Sequence, residues 1–118
     1  MATTELTKDN FATTIEGNDV VLIDFWAGWC GPCMRFAPIY EDASGRHDDV
    51  VFAKVDTEAN QDLSAALEIQ SIPTIMGFRG GNLVFRQSGL LNGSQIDSLI
   101  EQMKGLDLSA LTAEQAQG

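Results

Sequence analysis

Cys30 and Cys33 are the only two cysteines of this 118-residue chain, and they stand three residues apart in the run Trp29-Cys30-Gly31-Pro32-Cys33. Two thiols at that spacing can close into a disulfide and open again at the start of a helix. Residues three apart on a helix have Cα atoms about 5 Å apart, inside the roughly 4.4–6.8 Å window of a disulfide. Pro32 suits a first helical turn, having no amide hydrogen to leave unsatisfied. Cys30 then falls at the helix N-terminus, where unpaired N–H groups and the helix dipole favour an anion. A thiolate is that anion, and it is the species that attacks another disulfide. The competing readings are half of a zinc site and chance proximity. A structural zinc wants four N or S ligands, and only the single His47 is available to join the two cysteines.

Asp24 stands out by its cost. It places a carboxylate inside the apolar run Val20-Val21-Leu22-Ile23-Asp24-Phe25-Trp26-Ala27, where it must titrate, find a partner, or reach solvent at a strand edge or twist. Lys54, inside the apolar run Val50 to Asp56, reads on its own as a side chain snorkelling at a sheet surface. Pro73, after Ile72, stands at a strand start, where a trans bond is the default. Gly89 reads as a strand-end glycine that permits close backbone approach.

The elements that must position these residues follow from periodicity. The pattern predicts a helix over Thr7–Glu16, ended by Gly17-Asn18-Asp19. Val20 to Ala27 has the near-continuous apolar, β-branched character of a strand buried on both faces, and so central in its sheet. Trp29 to Arg46 carries Met34, Ala37, Tyr40 and Ala43 at three-residue steps and predicts a helix kinked at Pro38. Val50 to Asp56 is a second buried strand and Asn60 to Glu68 a short helix. Thr74 to Phe78, the turn Gly80-Gly81 and Asn82 to Gln87 form a hairpin, and Ser94 to Met103 is the last helix. Helices alternating with strands, then a hairpin and one more helix, predict an α/β fold with a mixed sheet covered on both faces.

Composition bounds the function. Seventeen acids against seven bases give a formal charge of −10, which argues against a nucleic-acid or anionic-membrane partner, since phosphate binding rests on clustered Lys and Arg. The longest apolar run falls far below the roughly 18 residues of a membrane span. Met1 to Phe11 carries Glu5, Lys8 and Asp9 and no apolar core of a secretory signal. Two cysteines without such a signal point to a reducing compartment, the cytoplasm. Charge is also unevenly placed: Arg35 is the only charged residue between Phe25 and Tyr40, and Ile69 to Phe78 has none. The segments flanking the dithiol are therefore suited to apolar docking.

At this point the chain resembles the thioredoxin family. Phe25 to Cys33 is similar to its active-site segment, Ile72-Pro73-Thr74 to its cis-proline loop, and the element order agrees from about residue 3 to 105. The resemblance implies a thioredoxin fold: a central mixed sheet of five strands, or four, flanked by four α-helices. It implies a thioredoxin domain over 1–105 and leaves 106–118 as a flexible C-terminal tail. Cys30 would be the exposed nucleophile and Cys33 the buried thiol that resolves the mixed disulfide. Trp29, Gly31 and Pro32 would complete the active-site loop. Asp24 would accept the proton of Cys33, with Lys54 as a modulator close to that acid. Pro73 would be cis, freeing the backbone of Ile72 to pair with an extended substrate, and Gly89 and Leu90 would border the docking surface. Trp26 is expected to pack behind the loop and Trp29 to lie exposed at its rim.

The activity implied is protein disulfide reduction by a monomeric electron carrier that maintains redox homeostasis. Its redox centre is the Cys30–Cys33 pair, with no other cofactor and no metal. The implied partners are an NADPH-dependent thioredoxin reductase and disulfide-containing proteins. A redox-inert binding module or partner subunit on the same fold is the alternative. An oxidase or isomerase is disfavoured by Gly31-Pro32, because the more oxidising members of the superfamily usually carry a histidine there. The chain departs from the family at Met34, where a lysine or arginine is usual, and at Leu90, where a small residue is common. His47 is expected to place a cation near the end of the second helix and has no assigned catalytic part.

Overall fold

The computed structural model describes residues 3–109. Its elements are β1 (Thr3–Glu5), α1 (Phe11–Glu16), β2 (Val20–Trp26), α2 (Gly31–Arg46), β3 (Val51–Asp56), α3 (Gln61–Ala66), β4 (Thr74–Arg79), β5 (Asn82–Ser88) and α4 (Gly93–Lys104). The five strands lie in the order β1-β3-β2-β4-β5, with β1 and β2 parallel to β3 and with β4 antiparallel to both β2 and β5. The expected mixed sheet is thus present with five strands, and β2 is its centre.

Alternation along β2 explains the two layers. Val20 and Leu22 face a core with Phe36 and Tyr40 of α2 and Ile96 and Ile100 of α4. Val21, Ile23 and Phe25 face the opposite core, closed by Ile15 of α1 and Leu63 of α3. Successive strand residues point to opposite faces, so a strand sandwiched by helices needs apolar residues throughout. Tyr40 fits this interior because its hydroxyl donates to the Ala53 carbonyl at 2.8 Å.

Several boundaries differ from the periodicity. Strand β1 has no legible pattern in Thr3-Thr4-Glu5; it is an edge strand held by pairing to β3, and its apolar contribution comes one residue later, at buried Leu6. Helix α1 starts at Phe11 rather than Thr7 because the preceding residues form a turn, in which the Thr7 N–H donates to Asn10 Oδ1 at 2.7 Å. Helix α2 runs through Pro38 without ending. At the C-terminal side of α4, Arg79 Nη1 donates to the carbonyls of Met103, Lys104 and Leu106. A Cβ on Gly80 would meet the side chain of Leu108 at 2.6 Å. The first residues of the expected tail are therefore held against the β4–β5 turn; the stretch from 110 to 118 lies outside the described residues.

Candidate active site

The central strand delivers the chain to Ala27, and the Cys30 N–H donates to the Ala27 carbonyl at 3.2 Å. Cys30 itself is the N-cap of α2, in extended conformation, with Pro32 in the first helical turn. The Cys33 N–H donates to Cys30 Sγ at 3.2 Å. This is the placement expected from the spacing: a sulfur in the position where a helix end offers unsatisfied donors. Cys30 and Cys33 are joined as a disulfide with Cα atoms 5.2 Å apart.

One expectation is corrected. Cys30 is not exposed in this closed form: it is only 4% accessible, and Cys33 1%. The ring turns Cys30 Sγ inward, 3.7 Å from the Ile72 carbonyl oxygen, and the rim position is taken by Trp29, which is 71% accessible. Gly31 and Pro32 are exposed at the tip. Trp26 is half-buried and packs against the Ala27, Cys30 and Cys33 cluster.

Asp24 is fully buried, and neither of its carboxylate oxygens has a hydrogen-bond partner. The reading of a strand-edge residue reaching solvent is thereby excluded. Alternation puts it on the same face as Leu22, the face covered by α2, whose first turn carries Cys33. Loss of hydration disfavours the charged carboxylate and pushes its pKa up to about 7, against a smaller opposing pull from Lys54. Lys54 is the register partner of Asp24 on β3, and its Nζ lies 5.0 Å from the centre of the Trp26 ring. The half-buried lysine is thus neither a free surface cation nor a direct ion-pair partner. Asp24 also helps hold the buried Tyr40 phenol protonated, second to burial itself.

The Ile72–Pro73 peptide is cis, and Ile72 packs against the disulfide cluster. Gly89 has φ +105°, a backbone conformation that a side chain resists, and its N–H donates to the Pro73 carbonyl at 2.8 Å. Leu90 is 41% and Met34 42% accessible. A cavity of about 180 Å³ lies beside Trp29, walled by Ile69, Gln70, Ser71 and Ile72. Residues 69–71 were missed by sequence reasoning, since no motif marks them beyond the lack of charge in this stretch. His47 caps the far end of α2, where its Nε2 meets Asp97 Oδ1 at 2.6 Å. Even from Cys33, inside the helix, to His47 at its end the rise is about 21 Å at 1.5 Å per residue, so the three do not form one zinc site.

The family profile described as Thioredoxin matches residues 2–103. The chain is 48% identical over 120 residues to "Putative thioredoxin 2" of Streptomyces coelicolor, covering 98% of this chain and 90% of that one. It is 41% identical over 80 residues to "Bifunctional thioredoxin reductase/thioredoxin" of Mycobacterium leprae, covering 67% of this chain and 18% of that one. Among solved structures, a single-site mutant of a thioredoxin from Halobacterium salinarum superposes with a TM-score of 0.81 at 32% identity, over 89% of this chain and 93% of that one. With the dithiol seated as the helix cap and the match running through nearly the whole described chain, this protein belongs to the thioredoxin family and is a thiol–disulfide oxidoreductase.

Proposed function

We propose that the protein reduces disulfides of other proteins through Cys30 and Cys33 and is recharged by an NADPH-dependent thioredoxin reductase. The observation that carries this reading is the Cys30–Cys33 disulfide closed across the first turn of α2. In the reduced form the Cys30 thiolate attacks one sulfur of the substrate disulfide. A Cys30–substrate bond forms, the substrate S–S bond breaks, and one substrate thiolate leaves. Asp24 takes the proton of Cys33, an exchange suited to a carboxyl whose pKa is about 7. The Cys33 thiolate then attacks Cys30 Sγ, releasing the second substrate thiolate and closing the internal disulfide. Two electrons have passed to substrate, and holding Cys33 beside the mixed disulfide makes this step unimolecular.

Trp29, Ile72, Pro73, Gly89 and Leu90 form the surface that receives the substrate. Its support is that exposed Trp29 lines one cavity with the half-buried Ile72, that Ile72 packs against the disulfide cluster, and that the Gly89 N–H is bonded to the Pro73 carbonyl. Lys54 modulates Asp24 from the neighbouring strand. The reductase partner is supported by the Mycobacterium leprae relative, whose name joins thioredoxin reductase and thioredoxin. The sulfur pair is the redox centre and no further cofactor is invoked. Residues 1–105 are read as the thioredoxin domain, acting as a monomer in the cytoplasm; no helix among the described residues is long and apolar enough to cross a membrane.

The test couples NADPH oxidation by a thioredoxin reductase to reduction of a protein disulfide. The parent turns over and Cys30→Ser does not, while Cys33→Ser accumulates a covalent mixed disulfide. Absence of turnover by a parent with intact thiols would reject the reading in favour of a redox-inert binding module.

A further inference from the structure

The edge strand β5 holds both ends of the segment that walls the cavity beside Trp29. Arg86 lies opposite Met76 of β4. Its Nη1 donates to the Leu67 carbonyl at 2.8 Å, and its Nη2 to the Glu68 carbonyl at 2.6 Å. These carbonyls follow α3, which has no basic residue in its last turn, and the terminal carbonyls of a helix need partners from outside it. Glu68 has φ 56°, the left-handed region that side-chain-bearing residues rarely enter. The chain reverses there and runs directly into Ile69–Ile72. Two residues along β5, Ser88 Oγ accepts from Ser71 Oγ at 2.9 Å. Arg86 and Ser88 share one face of the strand, because side chains alternate.

We propose that Arg86 is a positioning residue for protein substrates: its two-pronged hold on the Leu67 and Glu68 carbonyls, with Ser88 at the other end, sets the 69–72 wall against Trp29. The proposal rests on the docking surface assigned above. A guanidinium suits the task because its planar fork donates to two acceptors at once, whereas a lysine ammonium is a single point. The hydrogen bonds of Arg86 go to the Leu67 and Glu68 carbonyls and not to the sulfurs, so the hold governs recognition of an extended chain and leaves the sulfur chemistry alone.

The test compares parent, Arg86→Ala, Arg86→Lys and Ser88→Ala, each as the full chain, on insulin as protein disulfide and on hydroxyethyl disulfide as small disulfide. Losing two charge-assisted hydrogen bonds is expected to raise KM for insulin about three- to tenfold in Arg86→Ala, with kcat held. Arg86→Lys should fall between parent and Ala, and Ser88→Ala should shift KM in the same direction. The rate with hydroxyethyl disulfide and the reduction potential should stay at parent values. An unchanged KM for insulin, or an equal loss on both disulfides, overturns the proposal. If Arg86→Ala does not fold, Arg86→Lys and Ser88→Ala decide by the same comparison. Failure of the parent itself on both disulfides would instead overturn the functional reading.

Discussion

Replacing Asp24 with asparagine should make the oxidised protein more stable, by an amount that depends on pH. In the folded chain this carboxyl has its pKa near 7 instead of 3.8, chiefly through burial, and both oxygens lack partners. At 1.36 kcal/mol per pKa unit, the shift corresponds to about 4 kcal/mol. The sign follows from proton binding. Between pH 3.8 and about 7 the unfolded chain has lost this proton while the folded chain retains it, so each rise in pH favours unfolding. Below that window the residue is neutral in both states and costs little; above it the full penalty is present. The asparagine variant keeps the shape and carries no charge in either state. Its advantage over the parent should therefore grow from near zero at pH 4 to about 4 kcal/mol at pH 8, a large part of a total that is typically about 5–15 kcal/mol. Because Asp24 is fully buried, solvent does not screen this effect. Urea denaturation of both oxidised proteins across this range, at fixed ionic strength, measures the difference and cancels contributions from the other acids. A variant no more stable than the parent at pH 8, or an advantage flat with pH, would refute the reasoning.

Two further outcomes follow from the same carboxyl. Asp24→Asn should slow resolution of the mixed disulfide near neutral pH; stopped-flow rates unchanged from about pH 6 to 9 would remove Asp24 from the proton path. Lys54→Met removes the charge that pulls the Asp24 pKa down, so the carboxyl should titrate at higher pH than in the parent. Infrared or NMR titration of Asp24 reads this directly, and a midpoint that stays or falls would show that Lys54 does not act on it.

Legibility in the sequence tracked how local each feature is. The cysteine spacing, Pro32 in the first turn and the preceding apolar run all lie within about a dozen residues, and the disulfide, the helix cap and the central strand appear where they were expected. Asp24 was conspicuous as a charge in an apolar strand, yet whether it escaped to solvent depended on α2 packing over that face. Strand β1 carries no pattern because its three residues are recruited by pairing with β3. The covering of the closed disulfide by Ile72, which is 42 residues from Cys30, is likewise a contact made only in the packed chain.

By itself the sequence determined the reactive pair, its place at a helix N-terminus and the alternation of buried strands with helices, since these depend on spacing and backbone chemistry along one short stretch. Only the tertiary structure decided the surroundings of the pair. It paired Asp24 with Lys54 across β2 and β3 and buried the carboxyl deeply enough to bring its pKa near neutrality. It also brought Arg86 to the Leu67 and Glu68 carbonyls. Solvation and long-range hydrogen bonds are properties of the packed chain, and a pattern read along the sequence carries no record of which distant backbone a side chain will meet.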